Sequence, residues 1–148
     1  MEWYLPVIWA ALIGTAVALY VILDGFDLGL GILFPTTRSE GERDQMMRSI
    51  APFWDGNETW LVLGGGGLWV AFPQAYAVIM PALYLPMIVM LLALVFRGVA
   101  FEFRTVSQSK TNWNLAFTAG STIAAFCQGV ILAGLIQGIR AAWPEEGV

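Results

Sequence analysis

The sequence predicts an all-α integral membrane protein built from four antiparallel transmembrane helices. Its 148 residues are 58% hydrophobic and only 12% charged, with a mean hydropathy of +0.70, whereas soluble domains carry about 25% charged residues. Four apolar segments each reach the roughly 20 residues that a helix needs to cross the hydrocarbon core of a bilayer. Because each segment crosses the membrane once, consecutive helices must run in opposite directions.

The four segments cover residues 5–34, 50–72, 75–96 and 115–139, and together they form a single transmembrane domain. The first is about 30 residues long, so we expect it to tilt, break or protrude from the bilayer. No Lys or Arg precedes it, and it is too long for the apolar region of a secretory signal, so we expect it to remain in the mature protein. Pro81 and Pro86 should kink the third segment.

Basic residues are concentrated in two of the connections. Residues 35–49 and 97–113 hold six of the seven Lys and Arg side chains, whereas only Arg140 falls on the opposite side. Basic loops stay on the cytoplasmic side of a membrane. We therefore predict that both loops are cytoplasmic and that the N-terminus lies outside. Within the first loop, we interpret the mixed-charge stretch "SEGERD" as a solvated turn.

Composition also excludes several classes of protein. The chain has no histidine, which is the commonest ligand of metals and of haem iron, so we predict no metal site on this chain. Its seven basic residues form no patch, which excludes a nucleic-acid partner. The single cysteine, Cys127, lies in an apolar run and is interpreted as a small buried hydrophobe.

Charged residues gather at one membrane side of three apolar segments. They lie late in the first segment, early in the second and at the end of the third: Asp24, Asp27, Asp55, Glu58, Arg97 and Glu102. The acids of each of the first two segments are three residues apart and therefore share a helix face. A charge at mid-bilayer costs about 2.5–3.5 kcal/mol, so such acids should face the bundle interior, pair with arginine or line water. Grouped carboxylates of this kind suit a proton relay.

A purely structural interpretation of the same residues stays open. Asp27 is closest to the following loop, so we interpret it as an interfacial or capping residue. Asp55 could cap the free amides of the second helix, where its charge suits the helix dipole. Arg97 and Glu102 could form a plain ion pair.

Glycines mark the predicted contact faces of the helices. Gly25 and Gly29 have the GxxxG spacing, as do Gly134 and Gly138, and the residues Gly64, Gly65, Gly66 and Gly67 surround one turn of the second helix. Small residues let transmembrane helices approach closely. We expect helix packing at these positions, although a flat cofactor could also approach the Gly64–Gly67 turn. Gln128, in the fourth segment, is expected to form a hydrogen bond across helices.

Three motifs together resemble subunit II of the cytochrome bd quinol oxidases: "LDGFDLGLGIL", "SIAPFWDGNETWLVLGGGGLWVAFPQAYA" and "LVFRGVAFEFR". The wording "DGNETWLVLGGGGL" is most similar to the cyanide-insensitive branch of that family. The resemblance implies an eight-helix subunit of which this chain holds about the first half, so we expect the chain to be truncated at its C-terminus. It also implies a prokaryotic cytoplasmic membrane as the location.

The resemblance further implies a respiratory function. Members of the family reduce dioxygen to water with electrons from quinol, in a heterodimer with subunit I. Haems b and d belong to subunit I, so none is expected to be bound through side chains of this chain. A quinone or a lipid could also bind.

The resemblance assigns proton uptake to an aspartate in a Trp-Asp-Gly-Asn motif, which stands here as residues 54–57 and places the role on Asp55. Trp54 and Asn57 belong to the same motif, and Glu58 is a weaker candidate. The depth argument, rather than the family, adds Asp24 and Glu102 as polar support and Arg97 as their counter-charge.

Two other functions remain open from the residues alone. Acids within broken, glycine-rich helices would also suit a fragment of an ion-coupled secondary transporter. Transporter sites lie near the bilayer midplane, however, whereas these acids lie towards one side. A purely structural membrane subunit is the remaining alternative.

Overall fold

The computed structural model describes residues 4–138 and is almost entirely helical there. Six α-helices follow one another: α1 Leu5–Leu33, α2 Glu40–Ile50, α3 Trp54–Ala71, α4 Pro73–Ala82, α5 Tyr84–Val106 and α6 Thr111–Gln137, with a 3-10 turn at Phe34–Thr36. Within this part of the chain, three helices are long and apolar enough to cross a membrane: α1 with its following turn, α5 and α6. The predicted all-α membrane fold is confirmed, whereas the count of four spans stays a prediction. Ile139 and Arg140, used in the sequence analysis, lie outside the described residues.

The interpretation of "SEGERD" as a turn is wrong, because residues 40–44 of this stretch form the beginning of helix α2. Ser39 begins this helix with a capping box: its hydroxyl accepts from the Glu42 amide, and the Glu42 carboxylate accepts from the Ser39 amide. The sequence carries this signal as Ser-x-x-Glu. The acids of the first turn and Arg48 in the last turn suit the helix dipole.

The third predicted segment is two helices rather than one kinked helix. Helix α4 ends at Ala82 and α5 begins at Tyr84. Pro86 explains the break, since it has no amide to donate to the Ala82 carbonyl and its ring would clash with that carbonyl in a continuous helix. Pro86 instead lies in the first turn of α5, where a missing amide costs little. Helix α5 then continues to Val106, beyond the predicted end at residue 96.

The long helices pack side by side in the order α3, α1, α6, α5. The start of α3 also reaches α5, because the Trp54 ring centroid lies 5.1 Å from that of Phe101, and a Cβ atom added at Gly98 would lie 3.4 Å from the Trp54 ring. One apolar core forms between α1, α5 and α6 around Leu28, Leu94 and other buried residues. A second core lies where α2 crosses the end of the bundle, which we call the α2 end, and contains Phe34, Met47, Ile50, Ala100, Phe101 and Phe117.

Small residues set the closest helix approaches within the described chain. A Cβ atom added at Gly120 would lie 2.8 Å from the Ala93 carbonyl oxygen and 3.1 Å from the Arg97 Cβ. One added at Gly31 would overlap the Ser121 side chain. These two glycines therefore bring α5 and α1 against α6.

The glycines singled out from the sequence fall into two groups. Gly64 and Gly67 pack on α1, where an added Cβ would lie 3.0 Å from Val17 and 3.1 Å from Ile13, and one at Gly134 would lie 2.8 Å from Leu83. The others face open space within the described chain: Gly25, Gly29, Gly65, Gly66 and Gly138. Gly138 instead ends α6 with a positive φ of 81°, a conformation that favours glycine.

Charged side chains lock the α2 end together. Arg104 on α5 donates to Asp44 at 2.6 Å and to Glu40 at 2.8 Å, both on α2. Lys110 also binds Asp44, at 3.0 Å, and Asn114 on α6 donates to Glu40. The hydrogen bonds from Arg104 and Lys110 lower the pKa of Asp44 below its ordinary value. This cluster thus connects α2, α5 and α6.

The close approach at Gly120 can be tested with Gly120→Ala in the full-length subunit of the purified complex. The added methyl group would press on the α5 backbone, so we expect destabilisation of about 1–3 kcal/mol, typical of overpacking. The matched control is Gly129→Ala on the same helix, where an added Cβ meets nothing within 4 Å. Thermal melting of both variants checks this, and equal melting temperatures would contradict the packing described.

The α2 cluster predicts a pH dependence. Because the pKa of Asp44 is lower in the folded state, its contribution is complete above the unfolded value of about 3.9 and is lost as the pH falls through the folded value. We expect the difference in melting temperature between wild type and Asp44→Asn to be constant near neutral pH and to shrink below about pH 4. A difference that did not change with acidification would show that the Asp44 charge does not hold α2.

Candidate functional site

Helix α1 buries Tyr20, Asp24 and Asp27 and exposes most of its large apolar side chains. Its buried positions recur every three or four residues, which places them on one face: Ala16, Tyr20, Asp24, Asp27, Leu28 and Gly31. Large apolar side chains such as Val21, Ile22 and Phe26 lie on the exposed surface. This inverted pattern is expected of a helix whose outer face meets lipid and whose inner face carries a polar site.

A buried charge cluster lies on this inner face. The Arg97 Nη1 of α5 donates to the Asp24 Oδ1 of α1 at 2.8 Å, and the Arg97 Nη2 lies 3.9 Å from the Asp27 Oδ2. Asn57 of α3 donates from Nδ2 to the same Asp27 oxygen at 2.9 Å. Asp24, Asp27 and Arg97 are each at most 1% exposed, so three helices contribute to a site that is shielded from bulk solvent.

The charges of this cluster have a chemical consequence. One guanidinium faces two carboxylates, so the three groups are electrically neutral only when they hold one additional proton. Carboxylates that share a site in this way can accept and release a proton. Burial makes an unbalanced charge costly, because little water is available to solvate it.

A second polar contact lies one turn along α1 from Asp24. Gln128 of α6 donates from Nε2 to the Tyr20 hydroxyl at 2.6 Å, so Gln128 bonds across helices as expected. Tyr20 is only 3% exposed. It lies within electrostatic range of Asp24, Glu58 and Arg97. Polar groups therefore extend along α1 from Asp24 to Tyr20 and its partner Gln128.

The remaining candidates on α3 lie between the cluster and the surface. Asp55 is exposed in the first turn of α3, where its charge suits the helix dipole as expected, but its side chain forms no capping hydrogen bond with residues 4–138. Glu58 is half-buried, one turn further along, and lies within electrostatic range of Asp24, Asp27, Asp55 and Arg97. Trp54 is half-buried against Phe101.

Two sequence interpretations are overturned by this geometry. Asp27 is buried against Asn57 and Arg97 and does not cap a helix end, since α1 continues for about 9 Å beyond it to Leu33. Glu102 is exposed, and among residues 4–138 the ion pairs of Arg97 are with Asp24 and Asp27 alone. The predicted ion pair between Arg97 and Glu102 is therefore wrong. Arg97 does pair with Asp24, the second acid that it was expected to balance.

Tyr20 was missed as a candidate by sequence reasoning. Its signal was its position four residues before Asp24, which places both on one helix face. A lone tyrosine in an apolar segment gives no indication of its partner, since Gln128 is far away in sequence. Ser121 was also missed, and its buried hydroxyl has no hydrogen-bond partner among the described residues.

Comparison with known proteins identifies the family. The family model for cytochrome bd terminal oxidase subunit II matches residues 5–146. The chain is 37% identical over 136 residues to the cytochrome bd-I ubiquinol oxidase subunit 2 of Escherichia coli K12, covering 89% of this chain and 36% of the relative. It is 39% identical over 139 residues to the cytochrome bd ubiquinol oxidase subunit 2 of Bacillus subtilis, covering 89% and 40%.

A third relative is the probable cytochrome oxidase subunit 2 of Haemophilus influenzae, which is 35% identical over 140 residues, covering 92% of this chain and 37% of the relative. The chain thus spans little more than a third of the length of the curated relatives it matches. The family match confirms the resemblance seen in the three sequence motifs. This chain belongs to the subunit II family of the cytochrome bd terminal oxidases.

Proposed function

We propose that this chain forms the first part of subunit II of a quinol oxidase that reduces dioxygen to water, and that it supplies a proton path to that reaction. The family match and the relatives named ubiquinol oxidase subunit 2 support the assignment to an oxidase. Because the chain spans only part of those relatives, the activity belongs to the assembled complex.

Subunit I is the proposed partner, and it holds haems b and d in this proposal. This chain has no histidine to supply an axial ligand, so its residues do not fit the commonest form of haem site. Its part is to support the haem-bearing subunit within the membrane. The exposed apolar faces of α1 and α5 are available to membrane lipid, to quinone or to the partner.

The proposed location is the cytoplasmic membrane of a prokaryote, with the α2 end facing the cytoplasm. The basic residues of the loops at 35–49 and 97–113 support this orientation. The N-terminus then lies outside. Protons consumed in the reduction of dioxygen would enter the protein at the α2 end.

The buried charge cluster of Asp24, Asp27 and Arg97 is the observation that carries the proposal. Asp55 lies at the surface at the start of α3, and Glu58 lies about 4.5 Å further along that helix. Glu58 is in electrostatic range of the cluster, and its neighbour Asn57 is bonded to Asp27. Protonatable groups therefore succeed one another from the surface to the interior.

The comparisons bear on the two alternatives. A fragment of an ion-coupled transporter receives no support, since the family match extends over residues 5–146. A purely structural subunit would use the same cluster only to hold its helices together. These two roles predict different effects when Asp55 loses its charge, because Asp55 is exposed and its side chain forms no hydrogen bond or ion pair within the described part of the chain.

The experiment compares oxygen consumption by the purified complex of subunits I and II, driven by reduced quinol, for wild type and Asp55→Asn. A proton path predicts a loss on the order of tenfold or more, as is typical when a positioned proton-transfer group is removed. The haem spectrum should be unchanged. The matched variant Asp55→Glu retains a carboxylate at this position and should retain a substantial part of the turnover.

Full turnover in Asp55→Asn with intact haems would exclude Asp55 from the proton path and favour the structural role. Equal losses in Asp55→Asn and Asp55→Glu would show that the shape of the side chain matters rather than its proton.

A further inference from the structure

A cavity of about 250 Å³ opens at the α2 end, where the turn after α1, the first turn of α2 and the first two turns of α6 meet. Its walls include the apolar side chains of Phe34, Pro35 and Leu115 and the polar ones of Arg43, Thr111 and Thr118. Its lining shares no residue with the buried charge cluster of α1 and α5. The proposed proton path therefore does not use this cavity.

The cavity lies at the level of a membrane where phospholipid headgroups are found. Helix α1 with its following turn ends at Thr36, α6 begins at Thr111, and both are long and apolar enough to cross a membrane. Their adjoining ends therefore lie at a membrane surface. Leu115 in the cavity wall is 70% exposed, and Leu33, which precedes Phe34 in the chain, is 55% exposed. An acyl chain that leaves the cavity would meet this apolar surface.

The ion pairs around the cavity leave one positive charge unbalanced. Arg43, Arg104 and Lys110 pair with only two acids, Glu40 and Asp44, so three cations face two anions. Glu40 also lines the cavity, but its charge is balanced by Arg43 and Arg104. Basic sites between transmembrane helices at a membrane surface bind the headgroups of anionic lipids.

Hydrogen-bond donors remain available in the cavity. Arg43 uses three of its five N–H groups within residues 4–138, which leaves two for a ligand. The hydroxyls of Thr111 and Thr118 form no hydrogen bond with the described residues, whereas that of Thr122, one turn further along α6, donates to the Thr118 carbonyl. Phosphate oxygens are strong acceptors for donors of both kinds.

The size and charge of the cavity favour a lipid headgroup over the other membrane ligands. Its volume lies just below the range of about 300–1,000 Å³ that is usual for pockets holding drug-sized molecules. It therefore suits a headgroup whose chains remain outside. A quinone headgroup is uncharged and would leave the positive charge unbalanced.

We propose that this cavity binds the phosphate group of an anionic phospholipid. The phosphate accepts from the remaining N–H groups of Arg43 and from the hydroxyls of Thr111 and Thr118, and the acyl chains lie against Leu33 and Leu115. The bound lipid links α1, α2 and α6 at the membrane surface. This site does not depend on the proposed proton path, because a different set of residues forms it.

The test uses the purified full-length complex of subunits I and II after detergent exchange has removed loosely held lipid. Wild type is compared with Thr118→Val, which replaces one hydroxyl by a methyl group. Binding of added phosphatidylglycerol is followed by native mass spectrometry. We expect the variant to bind its tightest phosphatidylglycerol about tenfold more weakly, because it loses a hydrogen bond to a charged group. Phosphatidylethanolamine, which has no net charge, should bind wild type severalfold more weakly than phosphatidylglycerol.

The matched control is Thr15→Val, at an exposed threonine in the first half of α1 whose hydroxyl donates to the Ala11 carbonyl. It should bind phosphatidylglycerol as wild type does. Arg43→Gln removes the charge that faces the phosphate and should weaken binding further. If Arg43→Gln fails to assemble because it loses its contacts with Glu40 and Thr37, Thr118→Val still decides the outcome.

Equal affinity of wild type and Thr118→Val for phosphatidylglycerol would overturn the site. Equal affinity of wild type for the two lipids would also overturn it, since the unbalanced charge would then not select the ligand. Displacement of the lipid by inorganic phosphate alone would show a site for the free anion rather than for a lipid.

These outcomes are separate from those for the proton path. Lost turnover in Asp55→Asn together with unchanged lipid binding in Thr118→Val would keep the proton path and overturn the lipid site. Full turnover in Asp55→Asn together with weakened lipid binding in Thr118→Val would do the reverse.

Discussion

Burial of the Arg97 guanidinium is the constraint on which the rest of this bundle depends. A charge removed from water costs several kcal/mol unless it is paired and hydrogen-bonded. Arg97 is 1% exposed, so α1 must present Asp24 at the same depth. The backbones must also come close enough for the pair to meet, and Gly120 and Gly31 provide this by removing side chains between α6 and its two neighbours. The charge pair therefore depends on the small residues that let the helices approach.

The same constraint explains the polarity of the bundle. Helices α1 and α5 turn most of their large apolar side chains outwards and bury Asp24, Asp27 and Arg97, which is the arrangement that a lipid environment requires. At the α2 end, Arg104 repeats the pattern on α5 with Asp44 and Glu40 as partners. In the proposed function these two arginines have different roles: Arg104 closes the end of the bundle, whereas Arg97 balances the carboxylates that hold a proton.

Local patterns in the sequence predicted part of this structure well. Hydropathy indicated the membrane helices, the spacing of Asp24 and Asp27 placed them on one face, and their shared depth with Arg97 suggested a counter-charge. What could not be predicted depends on contacts distant in sequence. The burial of Asp27 depends on Asn57 and Arg97, and the hydrogen bond of Tyr20 depends on Gln128. Helix α2 was overlooked although its capping box is local, because its hydrophilic composition outweighed that signal.

The central claim, that the Asp24–Arg97 pair holds the bundle together as a unit, is tested most directly by thermal melting of the full-length complex carrying Asp24→Leu, Arg97→Met or both. The account predicts that each single change costs about 3–5 kcal/mol, because it leaves the other charge buried without its main partner. The double variant removes both members of the pair and leaves Asp27 with its hydrogen bond from Asn57, so it should recover part of that loss. Additive losses in the double variant would contradict the account, because they would show that the two side chains act independently.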